Sequence, residues 1–277
     1  MATLQELKKR LAGIRMTGQM AGAMKTASAA KFARINGELS RFGEYSSVCR
    51  EMTARFGGAL SAVFPPVNPF SPPCFILLGS NRGLCGGYNT GLYEYADRIL
   101  AETGEYRLIV TGRHAVSRYR EAGIVPDGEF ILPDTASFDD AEPVLALAKE
   151  LYFRGEVSRV EILWQRFVNT LNQEPSRHTL LPVSASEMDG EDEGDVLCVP
   201  DRETVLRKAA DVCLSADFCA HVLEAAAGSQ AATLVAMRSA FDNAEQTSAT
   251  LAADIAHQRQ SEVTSGVIET SGGNARQ

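Results

Sequence analysis

Leu4-Gln5-Glu6-Leu7-Lys8-Lys9-Arg10-Leu11-Ala12-Gly13-Ile14 sets its large apolar side chains three, four and three residues apart, the spacing of a coiled-coil seam. The seam continues through small or polar positions at Gly18, Ala21, Met24 and Ser28. It resumes at Phe32, Ile35, Leu39 and Phe42 after one four-residue step that reads as a stutter. No proline interrupts residues 3–56, so one helix is expected to run until Gly57-Gly58 and the prolines at 65, 66, 69, 72 and 73. The other end of the chain has the same pattern. Ala220, Leu223, Ala227, Leu234, Met237, Phe241, Ala244, Ser248, Leu251 and Ile255 keep nearly the same steps in a proline-free stretch from Asp201 to about Ser271. Helices of ~55 and ~65 residues are roughly 80 and 100 Å long and too slender to bury themselves. The two terminal segments are therefore expected to wrap about each other as an antiparallel coiled coil. Its small seam residues allow close approach but bury less apolar surface per turn.

Between the helical ends the pattern changes. Cys74-Phe-Ile-Leu-Leu-Gly79 is a short apolar run bounded by proline and glycine, as a buried strand is. Tyr106–Thr111, Glu129–Leu132, Arg159–Trp164 and Arg177–Val183 read as further strands, with helices at Tyr88–Ala101, Arg113–Ala122 and Ala141–Phe153. This alternation predicts a largely parallel, doubly wound Rossmann-like sheet with helices on both faces. The expected organisation is α/β plus a long antiparallel α-helical coiled coil. Residues 1–58 are the N-terminal shaft helix, 59–73 a proline-rich linker and 74–184 the α/β domain. Residues 185–202 are an acidic connecting loop and 203–277 the C-terminal shaft helix. The six carboxylates from Glu187 to Asp195 lack the offsets of a calcium loop and read as a solvated connection.

With 45% hydrophobic and 22% charged residues among 277, the composition is that of a soluble globular protein. No apolar run approaches the ~18 residues of a membrane span. Arg15 and Gln19 interrupt the stretch after Lys8-Lys9-Arg10, so a secretion signal is not expected. The net charge of −8 hides an asymmetry: residues 1–55 carry ten basic and four acidic side chains, the remainder 17 and 31. A basic arm on an acidic chain suits an acidic partner surface, or a solvated helix face. The six cysteines (49, 74, 85, 198, 213, 219) form no Cys-x-x-Cys and have no histidine at ligand spacing, so buried free thiols are expected rather than a zinc site.

The densest glycine cluster, Gly79-Ser-Asn-Arg-Gly83-Leu-Cys-Gly86-Gly87-Tyr-Asn-Thr, follows the first strand and opens a helix, the position of a phosphate loop. Its glycines fall at relative positions 1, 5 and 8 instead of 1, 3 and 6, and Gly87 is followed by Tyr88 where a P-loop has lysine. Close backbone packing explains it better. His114, His178, His221 and His257 read as isolated, Glu150 and Glu156 have no evident carboxylate partner, and Trp164 reads as core. No catalytic residue, cofactor or metal site is expected. The basic arm lacks interleaved aromatics, which disfavours nucleic acid.

Four blocks stand in order along the chain: Ile14-Arg15-x-Thr17 with Ala23-Met24-Lys25, then Ser80-Asn81-Arg82-Gly83-Leu84-Cys85-Gly86-Gly87-Tyr88-Asn89, then Phe167 with Gln173-x-Pro175 and Leu180-Leu181-Pro182. The last is Leu234-Val-Ala-Met237 with Asn243 and Arg259-Gln260-x-x-Val263-Thr264. Taken together they resemble the gamma subunit of F-type ATP synthases, and the likeness spans the chain. It implies a non-catalytic central-stalk rotor that couples rotation of a membrane ring to nucleotide-state changes in a catalytic hexamer. The implied partners are the alpha- and beta-type hexamer subunits, an epsilon-type subunit and the membrane c-type ring, with no nucleic acid and membrane contact only through partners. In the family, residues matching Arg259, Gln260 and Thr264 hydrogen-bond a loop of a catalytic subunit. Those matching Met24, beside Lys25, and the loop of Arg82, Gly83 and Cys85 lie near that subunit's moving, acidic lever. The location implied is peripheral, on the cytoplasmic face of a bacterial plasma membrane.

The chain departs from the family pattern at several positions. Gly228-Ser229-Gln230 stands where Ser-Glu-His is usual, Thr233 for an arginine, Ala256 for an asparagine, and Gln19 and Ala21 for lysine and threonine. The plastid redox cysteine pair is missing, so no thiol regulation is expected. Two other readings remain open on the residues alone: a stand-alone nucleotide-binding α/β protein, and a paralogous coiled-coil scaffold.

Overall fold

In the computed structural model, which describes residues 3–64, 68–183 and 198–273, Cys74–Leu78 forms β1 with all five side chains buried. The acidic run from 187 to 195 lies outside the described residues. Strands β2 (Arg107–Thr111), β3 (Gly128–Phe130), β4 (Val160–Phe167) and β5 (Gln173–Leu181) complete a sheet in the order β3-β2-β1-β4-β5. The β1–β2, β2–β3 and β1–β4 pairs are parallel, and edge strand β5 runs antiparallel to β4. Helices α2 (Tyr88–Thr103), α3 (Arg113–Glu121) and α4 (Phe138–Phe153) form the crossovers. The long terminal helices are α1 (Leu4–Val63) and α5 (Arg202–Gly273).

Two helix ends differ from the sequence expectation by three residues or more. Helix α1 passes through Gly57-Gly58 and continues to Val63. A glycine inside a helix costs only about 1 kcal/mol, whereas proline costs about 3, and Pro65-Pro66 follows at once. Helix α4 begins at Phe138, one turn before Ala141, because Ser137 and Asp140 close a capping box: Asp140 N–H donates to Ser137 Oγ at 3.3 Å, and Ser137 N–H to Asp140 Oδ2 at 2.8 Å.

The chain forms two compact units that divide both long helices: Met1–Ser28 with Leu234–Gln277, and Ala29–Thr233. In the first, α1 and α5 run antiparallel, since Gly18 faces Ala244 while Gly22 faces Phe241 further back along α5. A Cβ on Gly18 would stand 3.1 Å from Ala244 Cβ, and one on Gly22 3.1 Å from the Phe241 ring. Leu4, Leu7, Leu11, Ile14, Gly18, Ala21, Met24 and Ser28 are all buried or half-buried, as the 3-4 spacing predicts.

In the second unit the sheet is covered on both faces. One face packs Phe75, Leu77, Leu108, Val110 and Leu163 against α2 and α3. The other packs Ile76, Leu78, Ile109, Ile162 and Trp164 against α4 and against Ala209, Leu214, Phe218 and Val222 of α5. The lower parts of the terminal helices are thus layers of the sheet's own core, which explains why α5 is buried more broadly here than one seam requires. Phe218 is fully buried at that contact. Phe218→Ala is expected to lower stability by about 3–5 kcal/mol, read as a fall in the denaturation midpoint.

Candidate partner-contact surfaces

The residues singled out as partner contacts fall in both units. In the first, Met24 and Lys25 are half-buried, and Lys25 Nζ sits 4.3 Å from the centre of the Phe241 ring, a cation–π contact that holds its charge at the helix surface. Arg259, Gln260 and Thr264 are exposed, roughly 27 Å along α5 from Phe241. Continuing the Gly18–Ala244 register sets Leu4 opposite residue 258, so α5 extends past the start of α1 at this end. Thr264 Oγ1 donates to the Gln260 carbonyl at 2.9 Å, whereas the Arg259 and Gln260 head groups face solvent. Lys8, Lys9, Arg10 and Arg15 are also exposed, and among the described residues none makes an ion pair.

Arg82, Gly83 and Cys85 belong to the second unit. Their loop leaves β1 at Gly79, whose backbone crosses that of Gly112: a Cβ on Gly79 would overlap Ala115, and one on Gly112 the Gly79 carbonyl. The loop then closes on itself. The Ser80 hydroxyl lies 2.7 Å from the Arg82 carbonyl and 2.8 Å from Asn89 Oδ1, and Asn89 Nδ2 donates to that same carbonyl at 3.3 Å. Asn81 Nδ2 donates to the Leu132 carbonyl at 2.6 Å, and its Oδ1 accepts from Arg113 N–H. These bonds hold Leu84 at a φ of 62° with its side chain exposed and Cys85 buried beneath it. Burial raises the Cys85 thiol pKa, so it stays protonated. Arg82 itself points outward.

Ligands of open α/β sheets sit where the strand order reverses, here between β1 and β4. Helix α5 occupies that crevice. Tyr88 OH donates to the Ala225 carbonyl at 2.8 Å, Gln165 Nε2 donates to the Tyr88 carbonyl at 3.0 Å, and Gly228 lies against the Tyr88 ring. The cavity left beside Gly79, Ser80, Gly112 and Ala225 is about 30 Å³, room for a water, whereas ligand pockets hold about 300–1,000 Å³. A nucleotide does not fit there.

The departures from the family pattern are accommodated locally. Gln230 Nε2 donates to Asp134 Oδ2 at 3.3 Å, the carboxylate that also receives Lys31 Nζ at 2.8 Å. Ser229 and Thr233 return their hydroxyls to the Ala226 and Ser229 carbonyls. Gly228 is where Tyr88 needs space, and Ala256 is exposed.

Other readings change with the structure. Glu156 receives Arg107, and Glu150 receives Arg154, so both acids are in ion pairs. His178 and His221, read as isolated, stack with ring centroids 4.7 Å apart, and Trp164 lies edge-on to His221. None of the six cysteines is in a disulfide; four are buried, with Cys198 and Cys213 half-buried. Burial pushes the Cys74 and Cys219 thiols up to about 12. At pH 8 only about one in ten thousand of either would be the reactive thiolate. Native alkylation at pH 8 is therefore expected to spare Cys74 and Cys219, with labelling after denaturation; mass spectrometry reads the difference.

No helix among the described residues is long and apolar enough to cross a membrane. The chain matches the family described as ATP synthase over residues 3–275. It is similar to the ATP synthase gamma chain of Desulfitobacterium hafniense, 29% identical over 99% of this chain and 98% of that one. The gamma chain of Chloroherpeton thalassium is 27% identical over 99% and 97%. Among solved structures, the fold is similar to a chain of the Euglena gracilis mitochondrial ATP synthase rotor, with a TM-score of 0.68 at 17% identity, covering 94% of this chain and 98% of that one. A chain of the Tetrahymena thermophila mitochondrial ATP synthase central stalk and c-ring gives a TM-score of 0.59 at 18% identity, covering 80% and 99%. At those identities the structural likeness speaks for the fold.

Proposed function

The chain belongs to the ATP synthase family and matches its gamma chains end to end, and on that premise we propose that it is the central-stalk rotor subunit, a peripheral component that performs no chemistry itself. In this reading residues 1–58 and 203–277 are the shaft and 74–184 the body. The catalytic hexamer of alpha- and beta-type subunits encloses the two-helix unit. The sheet-containing unit meets the c-type ring and the epsilon-type subunit, on the cytoplasmic face of a bacterial plasma membrane. Met24, Lys25, Arg82, Gly83, Cys85, Arg259, Gln260 and Thr264 are the contact residues.

One observation carries the reading: a set of polar and basic head groups of the first unit is presented outward to solvent. Arg259 and Gln260 face solvent on the C-terminal part of α5, and Lys8, Lys9, Arg10 and Arg15 face it along α1 with no ion pair among the described residues. A surface of that kind suits acidic, hydrogen-bonding partners. Coupling then works through differential contact free energy. A subunit face that meets Arg259 in one nucleotide state and not in the next is stabilised in the first by that contact, and turning the shaft moves the bias onward.

The reading is tested by mixing the full chain with the alpha- and beta-type subunits. Co-purification of a stoichiometric complex whose ATP turnover depends on this chain is the expected result. A hexamer that turns over ATP equally without it would favour the scaffold reading. The loop supplies a finer test: Arg82→Ala is expected to leave the fold intact and to lower coupled ATP turnover several-fold at low salt. The difference should shrink as salt screens the contact.

A further inference from the structure

His178 lies on the edge strand β5, while Asp217 and His221 stand one turn apart on α5, so packing of helix on sheet assembles three groups that the sequence separates widely. His178 Nε2 is 2.7 Å from Asp217 Oδ2, and one ligand atom from each of the three side chains lies within 4.8 Å of the others. Exposures of 32% for His178, 42% for Asp217 and 14% for His221 leave one side of the cluster open to solvent. Its inner wall is Trp164, edge-on to His221 with centroids 4.4 Å apart. The neighbouring Glu224 is engaged elsewhere, accepting from Trp164 Nε1 at 2.8 Å and from Phe167 N–H at 3.1 Å.

The second contact of His221 prepares it as a ligand. Its Nδ1 lies 2.7 Å from the Asp217 main-chain carbonyl, which can only accept, so Nδ1 carries the proton and Nε2 keeps its lone pair. A ring proton donated to a main-chain carbonyl is the outer-shell arrangement that orients metal-binding histidines.

We propose that His178, Asp217 and His221 form a binding site for a divalent d-block cation of the zinc type, with water completing the shell. Two imidazoles and a carboxylate, with a fourth position open to solvent, are a donor set that zinc accepts. Metal–ligand bonds of about 2.0–2.1 Å need donor atoms within about 4.2 Å of one another. A modest side-chain rotation closes the remaining gap, and the proton shared by His178 and Asp217 leaves to solvent as the cation enters. The bound ion fastens β5 to α5.

The test titrates the metal-free full-length chain with Zn²⁺ by calorimetry and with Co²⁺ by visible absorption. The expected result is one equivalent of Zn²⁺ bound, with binding weakened at least tenfold in His178→Gln and again in His221→Gln. Thermal unfolding should shift upward with Zn²⁺ in the parent chain and not in the variants. Asp217→Asn, on the exposed side of the cluster, provides a third reading should His221→Gln fail to fold. The six thiols are the competing ligands, and a cobalt–thiolate charge-transfer band retained in the histidine variants would assign the metal to cysteine and overturn the proposal. Absence of saturable binding, or equal binding in all variants, overturns it as well.

Discussion

Gly22→Leu is expected to destabilise the two-helix unit by about 3 kcal/mol, and Gly22→Ala to leave it nearly unchanged. The contrast follows from one distance. A Cβ at position 22 stands 3.1 Å from two carbons of the Phe241 ring, tight but relieved by a shift of a few tenths of an ångström. For alanine that strain is opposed by a gain of about 1 kcal/mol in helix propensity, and the two roughly cancel. Leucine adds three more carbons where the ring already stands, so either Phe241 leaves its rotamer or the helices part. If they part, Lys25 also loses the ring under its ammonium, which lies 4.3 Å from the centroid. Chemical denaturation of the full chain measures the loss. Leucine tolerated as well as alanine would mean that the helices are not packed at this register. In the assembled enzyme the same variant should thicken the shaft and slow turnover.

The seam was legible because its period is a direct consequence of helix geometry: every seam position from Leu4 to Phe42 and from Ala220 to Ile255 is buried or half-buried. The alternation of strands and helices and the close packing of the glycine loop were legible for a similar reason, since β1 is apolar at every position and Gly79 must pass Gly112. What escaped was decided by local chemistry or by distance in the chain. Ser137-x-x-Asp140 was present as a capping signal and places the start of α4 at Phe138. Gly57-Gly58 reads as a stop although glycine only weakens a helix, and α1 continues to Val63. Nothing in the sequence joins His178 to His221; α5 must first dock on the sheet through Phe218 and Val222. Of the expected contact residues, the periodicity gave the helical setting of Met24, Lys25, Arg259, Gln260 and Thr264. Their choice over exposed neighbours such as Glu262 came from the family resemblance alone.

The buried departures also bear on mechanics. Ser229 and Gln230 are polar and nearly inaccessible, and each is satisfied, by the Ala226 carbonyl and by Asp134. Asp134 receives Lys31 from α1 and Gln230 from α5, so one carboxylate after β3 fastens both helices to the sheet. Twisting load carried by the helices would cross this junction. A neutral glutamine there makes a weaker bond than a charged partner, about 1 kcal/mol against 1.5–3. Gln230→His is therefore expected to strengthen the junction at a pH low enough to protonate the histidine, which a melting curve at pH 6 against pH 8 would reveal.

Ending the chain after Gln258 should abolish most of the coupling while sparing the fold. Residues 259–265 are exposed without exception, and the register of the two helices sets the start of α1 opposite residue 258. Losing the exposed residues 259–265 removes little buried apolar surface, and the melting temperature is expected to fall by no more than about 2 °C. The lost groups are instead those that a partner would read: the Arg259 fork, the Gln260 amide and the Thr264 hydroxyl. A charge-assisted hydrogen bond is worth about 1.5–3 kcal/mol, so losing the Arg259 contact alone corresponds to roughly 10- to 100-fold in the differential affinity that drives coupling. Arg259→Ala should reproduce much of the effect at low salt, with the gap between parent and variant narrowing as salt rises. ATP synthesis driven by an ion gradient in reconstituted vesicles is the measurement, with ATP hydrolysis by the same preparation as the control. Full synthesis by the truncated chain would mean that torque passes through the body of the shaft. Arg259, Gln260 and Thr264 would then be bystanders.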